Sequence, residues 1–166
     1  MAVKQRQVWR GLNILVDGIG NLGVSKKVEV PKIEFLSNER DGAMAMKEVI
    51  ALIKALSAKI TLNEYNTEAF TATSKQFGAA PTFFCKGSTV QGDSKVPILI
   101  TIKGRVEVLD APVPDMGKEV EMTLDIAVTA YSLEINGVKK IDIDVENMIC
   151  IIDGTDLYAE LRAHIQ

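Results

Sequence analysis

The chain has 166 residues, with 19 Lys and Arg against 22 Asp and Glu, and so a formal net charge of −3. A content of 47% hydrophobic and 25% charged residues excludes wholesale disorder, collagen and coiled coil. The mild acidity excludes a protein that grips nucleic acid through net charge, though not one that lets nucleic acid slide past.

Strand patterning starts early. Residues 12–16 lead into a glycine-rich turn, and residues 28–35 are expected to return as a hairpin. The turn spells Gly18-Ile19-Gly20-Asn21-Leu22-Gly23, a GxGxxG pattern. A dinucleotide fingerprint needs a helix opening behind the last glycine, and no helical periodicity begins there. It reads as a turn.

Residues 43–58 (AMAMKEVIALIKALSA) are ambiguous. Their helix formers place Met46, Ile50, Ile53 and Leu56 near one helical face. The same letters also fit a strand, a turn near 55–57 and a second strand through Ile60 and Leu62. Residues 67–77 predict a helix capped by Asn66 or Thr67 and stopped by Gly78.

The clearest strand covers 96–108. Val96, Ile98, Ile100, Ile102, Val106 and Val108 alternate with Thr101, Lys103, Arg105 and Glu107, so one face is buried. Pro97 restricts its own position to a strand start or an edge. A second long strand puts Val120, Met122, Leu124, Ile126 and Val128 on the core side, and Glu119, Glu121 and Asp125 on the other. Its phase breaks near Ala130 and Tyr131, where a bulge would restore it. Asn136-Gly137 is the strongest hairpin signal in the chain. Ile141, Ile143 and Val145 then alternate with Asp142, Asp144 and Glu146. An apolar run over 148–152 predicts one more strand, and 156–164 a short helix capped by Thr155 or Asp156.

Catalytic constellations are missing. The single histidine, His164, sits at the C-terminal end, where a fraying helix makes a poor general base. There is no GxSxG, HExxH or Walker A loop. Cys85 and Cys150 lack a CxxC partner and read as small buried apolar side chains, with a disulfide left open. Asp142, Asp144 and Glu146 have the spacing to hold a hard cation, but a solvated strand face is the commoner meaning. Trp9 and three tyrosines are too few for a base-stacking platform. No apolar stretch follows Lys4, Arg6 and Arg10, so a signal peptide is not expected and synthesis is expected in a cytoplasm.

The C-terminal stretch is the most specific part. Tyr131-Ser-Leu-Glu-Ile-Asn136-Gly137-Val-Lys-Lys-Ile-Asp142-Ile-Asp144-Val-Glu-Asn147-Met148-Ile149 precedes Asp153-Gly154-Thr-Asp156-Leu-Tyr158-Ala-Glu160-Leu-Arg162. It resembles the end of the major tail tube proteins of contractile-tailed phages and related contractile bacteriocins. The opening Leu12-Asn13-Ile14-Leu15-Val16-Asp17-Gly18 with Val30-Pro31-Lys32, and the helix end Lys75-Gln76-Phe77-Gly78, are similar to that family too. The resemblance covers nearly the whole chain and is weakest over 40–60.

The resemblance implies a mainly β protein: a β-sandwich or barrel with a flanking short helix and a C-terminal helix, in the tail-tube (Hcp-like) architecture, with residues 1–166 as one domain. It turns the reading of 43–58 from helix to strand–turn–strand. It implies hexameric rings stacked into a hollow tube, with no enzymatic activity, cofactor or metal. Implied partners are further copies of the chain, a tail sheath protein, baseplate and tail terminator proteins, and DNA in transit. The implied location is the virion tail. Alternatives are a type VI secretion-like tube protein and a monomeric ligand-binding β-barrel. On the tube reading, Glu119, Glu121, Asp125, Asp142, Asp144 and Glu146 are candidate lumen-facing acids. Trp9, in an N-terminal arm of residues 2–10, is the candidate ring-stacking anchor, with 38–58 and the C-terminal tail as further bridging segments.

Overall fold

A computed structural model describes residues 3–21, 23–42 and 44–166. In chain order its elements are β1 (Val8–Val16), β2 (Ile19–Gly20), β3 (Ser25–Glu29), β4 (Phe35–Arg40), β5 (Met46–Ile53), β6 (Leu56–Leu62), α1 (Thr67–Ser74), β7 (Thr82–Gln91), β8 (Ser94–Asp110), β9 (Met122–Ile135), β10 (Val138–Asp144), β11 (Ile149–Ile152), β12 (Thr155–Asp156) and α2 (Ala159–Ile165). Ten of the strands form one sheet ordered β12-β11-β10-β9-β8-β7-β1-β2, with β6 and β3 branching from β9. β4 and β5 make a separate two-stranded hairpin. Every pairing is antiparallel.

β8 and β9 form the spine. Alternation along them sends Ile98, Ile100, Ile102 and Val106, and Met122, Leu124, Ile126 and Val128, into the core. One edge of β9 is shared: residues 122–128 pair with β6 and residues 130–135 with β10. Thr129 lies at the fork. Lys103 faces Ala130 while Gly104 faces Val128, so Thr129 is an extra residue and the phase slips by one. This is the expected bulge, and it lets Tyr131 enter the core. Pro97 is accommodated because it lies one residue beyond the β8–β9 ladder, which ends at Ile98: its carbonyl accepts from the Asn136 N–H at 2.9 Å, and its missing N–H breaks no ladder bond.

The sheet curls until β3 comes beside β1, and side chains close that seam. Ser25 Oγ accepts the Ile14 N–H at 3.0 Å and donates to the Asn21 carbonyl at 2.6 Å. The Asn21 amide donates to the Ile14 carbonyl at 3.0 Å. The Asn66 amide donates to Asn21 Oδ1 at 2.5 Å, while Asn66 Oδ1 caps α1 by accepting from the Ala69 N–H at 3.0 Å. Both asparagines are buried, so these bonds replace the water they lost. α1 buries Ala69 and Ala72 and runs alongside β8, where Gln76 Nε2 donates to the Val106 carbonyl at 3.0 Å.

Several expectations need correction. The return strand at 28–35 does not pair with β1. Asp17-Gly18, both at positive φ, turn β1 tightly onto the two-residue β2, and β3 pairs with β6. No helix follows Gly23, where β3 begins at Ser25; Leu22 lies outside the described residues. Residues 46–53 and 56–62 are strands rather than a helix, yet they do not pair with each other. β5 folds back on β4, and β6 enters the main sheet. Val108 is half-exposed, because Glu107 bulges between Val106 and Val108 and sends Leu109 to the core side instead. The terminal helix begins at Ala159, since Thr155 and Asp156 pair with β11 as a short strand. Cys85 and Cys150 are free, buried thiols, and burial pushes Cys85 up to about 12.

Candidate lumen and stacking surfaces

The six candidate acids divide between the two limbs of the fork. On the β6 side, Glu121 lies just before β9 and accepts from Lys26 Nζ at 2.7 Å. Asp125 lies in β9, 3.7 Å from Lys59 Nζ, in a cross-strand row that continues to Glu29. Glu119 is exposed in the 111–121 connection, outside any strand. On the β10 side, Asp142 lies 3.6 Å from Lys139 Nζ. Asp144 accepts from the Asn147 N–H at 3.2 Å and from Asn147 Nδ2 at 2.6 Å, which shapes the turn into β11. Glu146 falls in that turn and not at i+4 on the strand, because β10 ends at Asp144.

The outward face of β7–β10 is consequently mixed. Its cross-strand rows read Thr101–Ser132–Asp142 and Lys103–Ala130–Asp144. Arg105, on the polar side of β8, does not join that face. Its guanidinium donates to the Lys75 carbonyl at 2.9 Å and the Gly78 carbonyl at 2.6 Å. A fixed cation there satisfies carbonyls at the C-terminal end of α1, where the helix dipole is negative. Alternation alone could not show that this side chain is already committed.

Trp9 belongs to β1 rather than to a loose arm. Its ring lies over Gly87, where a Cβ would stand 2.1 Å from Trp9 Cζ2. The remaining edge of the indole is exposed. Ahead of it, Gln7 Nε2 donates to Thr89 Oγ1 at 2.7 Å, and the Gln5 carbonyl accepts from Gln91 Nε2 at 2.6 Å. The arm thus leaves the molecule at the β7–β8 turn.

The β4–β5 hairpin is the most apolar exposed feature. Leu36, Met46, Val49 and Leu52, and Met44 in the turn, all face solvent. Both outer edges lack a backbone partner strand among the described residues. Its base is pinned at two points. The Lys54 N–H donates to the Glu34 carbonyl at 2.8 Å, and the Ile53 N–H donates to the Tyr158 hydroxyl at 2.7 Å. Tyr158 is buried and carries no sequence signal for this role.

A brace around Asp156 holds Tyr158. The carboxylate accepts from Arg162 at 2.8 Å and from the Tyr158 N–H at 3.0 Å, and Arg162 also donates to the Met148 carbonyl at 2.9 Å. The Arg162 bond, then the Tyr158 N–H, hold the Asp156 carboxyl below its ordinary value of 3.8. A depressed folded value means that the brace stabilises above the unfolded value and is lost as pH falls through the folded one. The C-terminal helix is therefore expected to loosen progressively below about pH 4. Hydrogen exchange of its amides over that range, compared with Asp156→Asn, measures it; equal acid sensitivity in the variant would exclude Asp156 as the cause.

These features leave apolar outer surface uncovered on the single subunit. The P2 phage tail tube protein (Escherichia phage P2) is 27% identical over 164 residues, covering 93% of this chain and 94% of that protein. A chain in the cryo-EM structure of the anti-feeding prophage baseplate, 6-fold symmetrised, superposes with a TM-score of 0.49 at 11% identity, over 81% of this chain and 95% of that one. The family model for phage tail tube protein FII matches residues 6–165, and the chain belongs to that family as a structural subunit of a contractile tail tube.

Proposed function

We propose that this subunit, acting as a single domain, forms hexameric rings that stack into a hollow tube enclosed by a sheath in the virion tail, through which DNA passes without specific binding. The observation that carries this reading is the β4–β5 hairpin, an apolar two-stranded element with two free edges. A two-stranded hairpin is marginal in water, and an exposed apolar edge invites pairing. In a ring stack, neighbouring copies cover it. Head-to-tail contacts that close into rings supply such neighbours. Baseplate and terminator proteins would meet the two ends of the stack. Size-exclusion chromatography and electron microscopy of the purified protein test this directly. Rings or tubes are expected at high concentration, and a particle that stays at 18.1 kDa over a wide concentration range would sink it.

On the same reading, the N-terminal arm and the exposed edge of Trp9 contribute to stacking, and Asp142 and Asp144 border the lumen. A carboxylate there repels phosphate, whereas each lysine that neutralises one strengthens binding by releasing counterions. Because Asp144 also shapes a turn, the informative variant is Asp142→Lys combined with Asp144→Asn, which preserves the turn's acceptor. Tubes are expected to form, and DNA passage through them to slow in a salt-dependent way. Passage identical to that of the unaltered tube would remove these residues from the lumen.

A further inference from the structure

The two ends of β8 carry opposite charge. At its start, the arm docked on the β7–β8 turn holds Lys4 and Arg6, Arg10 follows in β1, and residues 3–10 contain no acid; Asp93 in the turn is offset by Lys95. At its finish, residues 110–121 hold Asp110, Asp115, Glu119 and Glu121; Lys118 pairs with Asp115 at 2.9 Å and Lys26 with Glu121 at 2.7 Å, so Asp110 and Glu119 carry the excess negative charge. β8 has 17 residues, a span of roughly 50 Å if straight at ~3.3 Å per residue. Within one chain the arm and this connection lie at opposite ends of β8.

Both ends also expose apolar surface. The acidic end includes Val113 and Met116, with Tyr65 just ahead of α1 and Phe70 on it. The Tyr65 hydroxyl donates to the Pro112 carbonyl at 2.8 Å, which ties the 111–121 connection to the helix side. The basic end offers Val3, Val8 and the edge of Trp9. Each end therefore joins an apolar patch to a charged rim, basic at one end and acidic at the other.

We infer that the apolar face formed by α1 and residues 111–121 is the docking surface for the N-terminal arm of a second copy. The inference rests on the stacking role given to the arm above and names its receptor. The contact is heterologous, so each copy keeps one free basic end and one free acidic end and assembly propagates in one direction. Opposed charge sets which end meets which, because like ends repel. Arm and receptor meet only on assembly.

The test uses the full-length protein and measures polymer by sedimentation and electron microscopy. Raising salt shortens the Debye length from ~10 Å at 0.1 M to ~3 Å at 1 M, so polymer yield from the unaltered chain is expected to fall. Yield that is flat or rising across that series counts against the charge pairing, whatever any variant does. Lys4→Glu with Arg6→Glu and Arg10→Glu is expected to raise the concentration needed for assembly by roughly tenfold or more. Asp115→Lys with Glu119→Lys is expected to do the same. The two sets combined are expected to recover assembly, and failure to recover overturns the inference. Deletion of residues 3–7 separates the two layers. If deletion leaves tube yield unchanged, the arm plays no stacking role and both readings fall. If deletion blocks assembly but the charge exchange does not restore it, only the receptor assignment falls.

Discussion

Replacing Gly104 by alanine is expected to cost about 3 kcal/mol or more, a large share of the ~5–15 kcal/mol that holds such a domain folded. A Cβ at this position would stand 2.2 Å from the Ala127 carbonyl oxygen and 2.9 Å from the Val128 Cα. Both atoms are backbone of the paired strand, so no side chain can swing aside. Relief requires β8 and β9 to separate where Thr129 bulges and where β9 passes from β6 to β10. Gly11→Ala is the matched control, since nothing lies within 4 Å of its would-be Cβ and its φ is ordinary. Denaturant midpoints of the two variants provide the measurement. Equal midpoints would mean that the fork tolerates widening and that the glycine is incidental.

The second large effect concerns assembly rather than folding. Met46→Thr, Val49→Thr and Leu52→Thr together are expected to leave the thermal midpoint nearly unchanged and to abolish tube formation. All three side chains face solvent in the subunit, so the folded monomer loses little, and threonine keeps the strand preference. Fully covering an aliphatic side chain of this size contributes about 1.5–3 kcal/mol, so losing three such contacts weakens a subunit interface by several powers of ten. Sedimentation of the purified variant is decisive. Tubes formed at the unaltered concentration would show that no neighbour covers the hairpin.

What could be read from the sequence followed local periodicity. β8, β9 and the Asn136-Gly137 turn were legible because alternation over many residues and a turn with positive φ leave few alternatives. Even the bulge near Ala130 showed as a slip in phase. The matching slip at Glu107 did not show, because Val108 continues the apolar period and only the register against Asp125 turns it outward. Residues 46–53 favour helix by composition, and pairing with β4 decides otherwise. Partner choice was the larger blind spot. Nothing local says that β3 and β6 pair across more than thirty residues while β5 turns back to β4. The candidate site suffered in the same way. The acids were visible as a period-two pattern, but Lys26 and Lys59, which pair with Glu121 and Asp125, come from register and packing. Tyr158 reaches Ile53 across 105 positions, beyond any sequence pattern.

The antiparallel spine has a mechanical consequence. When a pair of long strands is pulled along its own direction, the ladder bonds between them share the force and must fail nearly together. When the same strands are peeled from a sheet margin, the bonds fail one at a time. β8 is flanked by β7 over residues 94–103 and by β9 over residues 98–110. Tension applied between the start of β8 and the start of β9, which lie at opposite ends of the antiparallel pair, is therefore met in shear, the strong direction. The short β2 and β12 at the margins are the weak direction. In a single-molecule pulling experiment, handles at residues 94 and 122 should report a much higher rupture force than handles that peel β12 away from β11. On the proposed tube function, a conduit driven forward by a contracting sheath gains from that anisotropy.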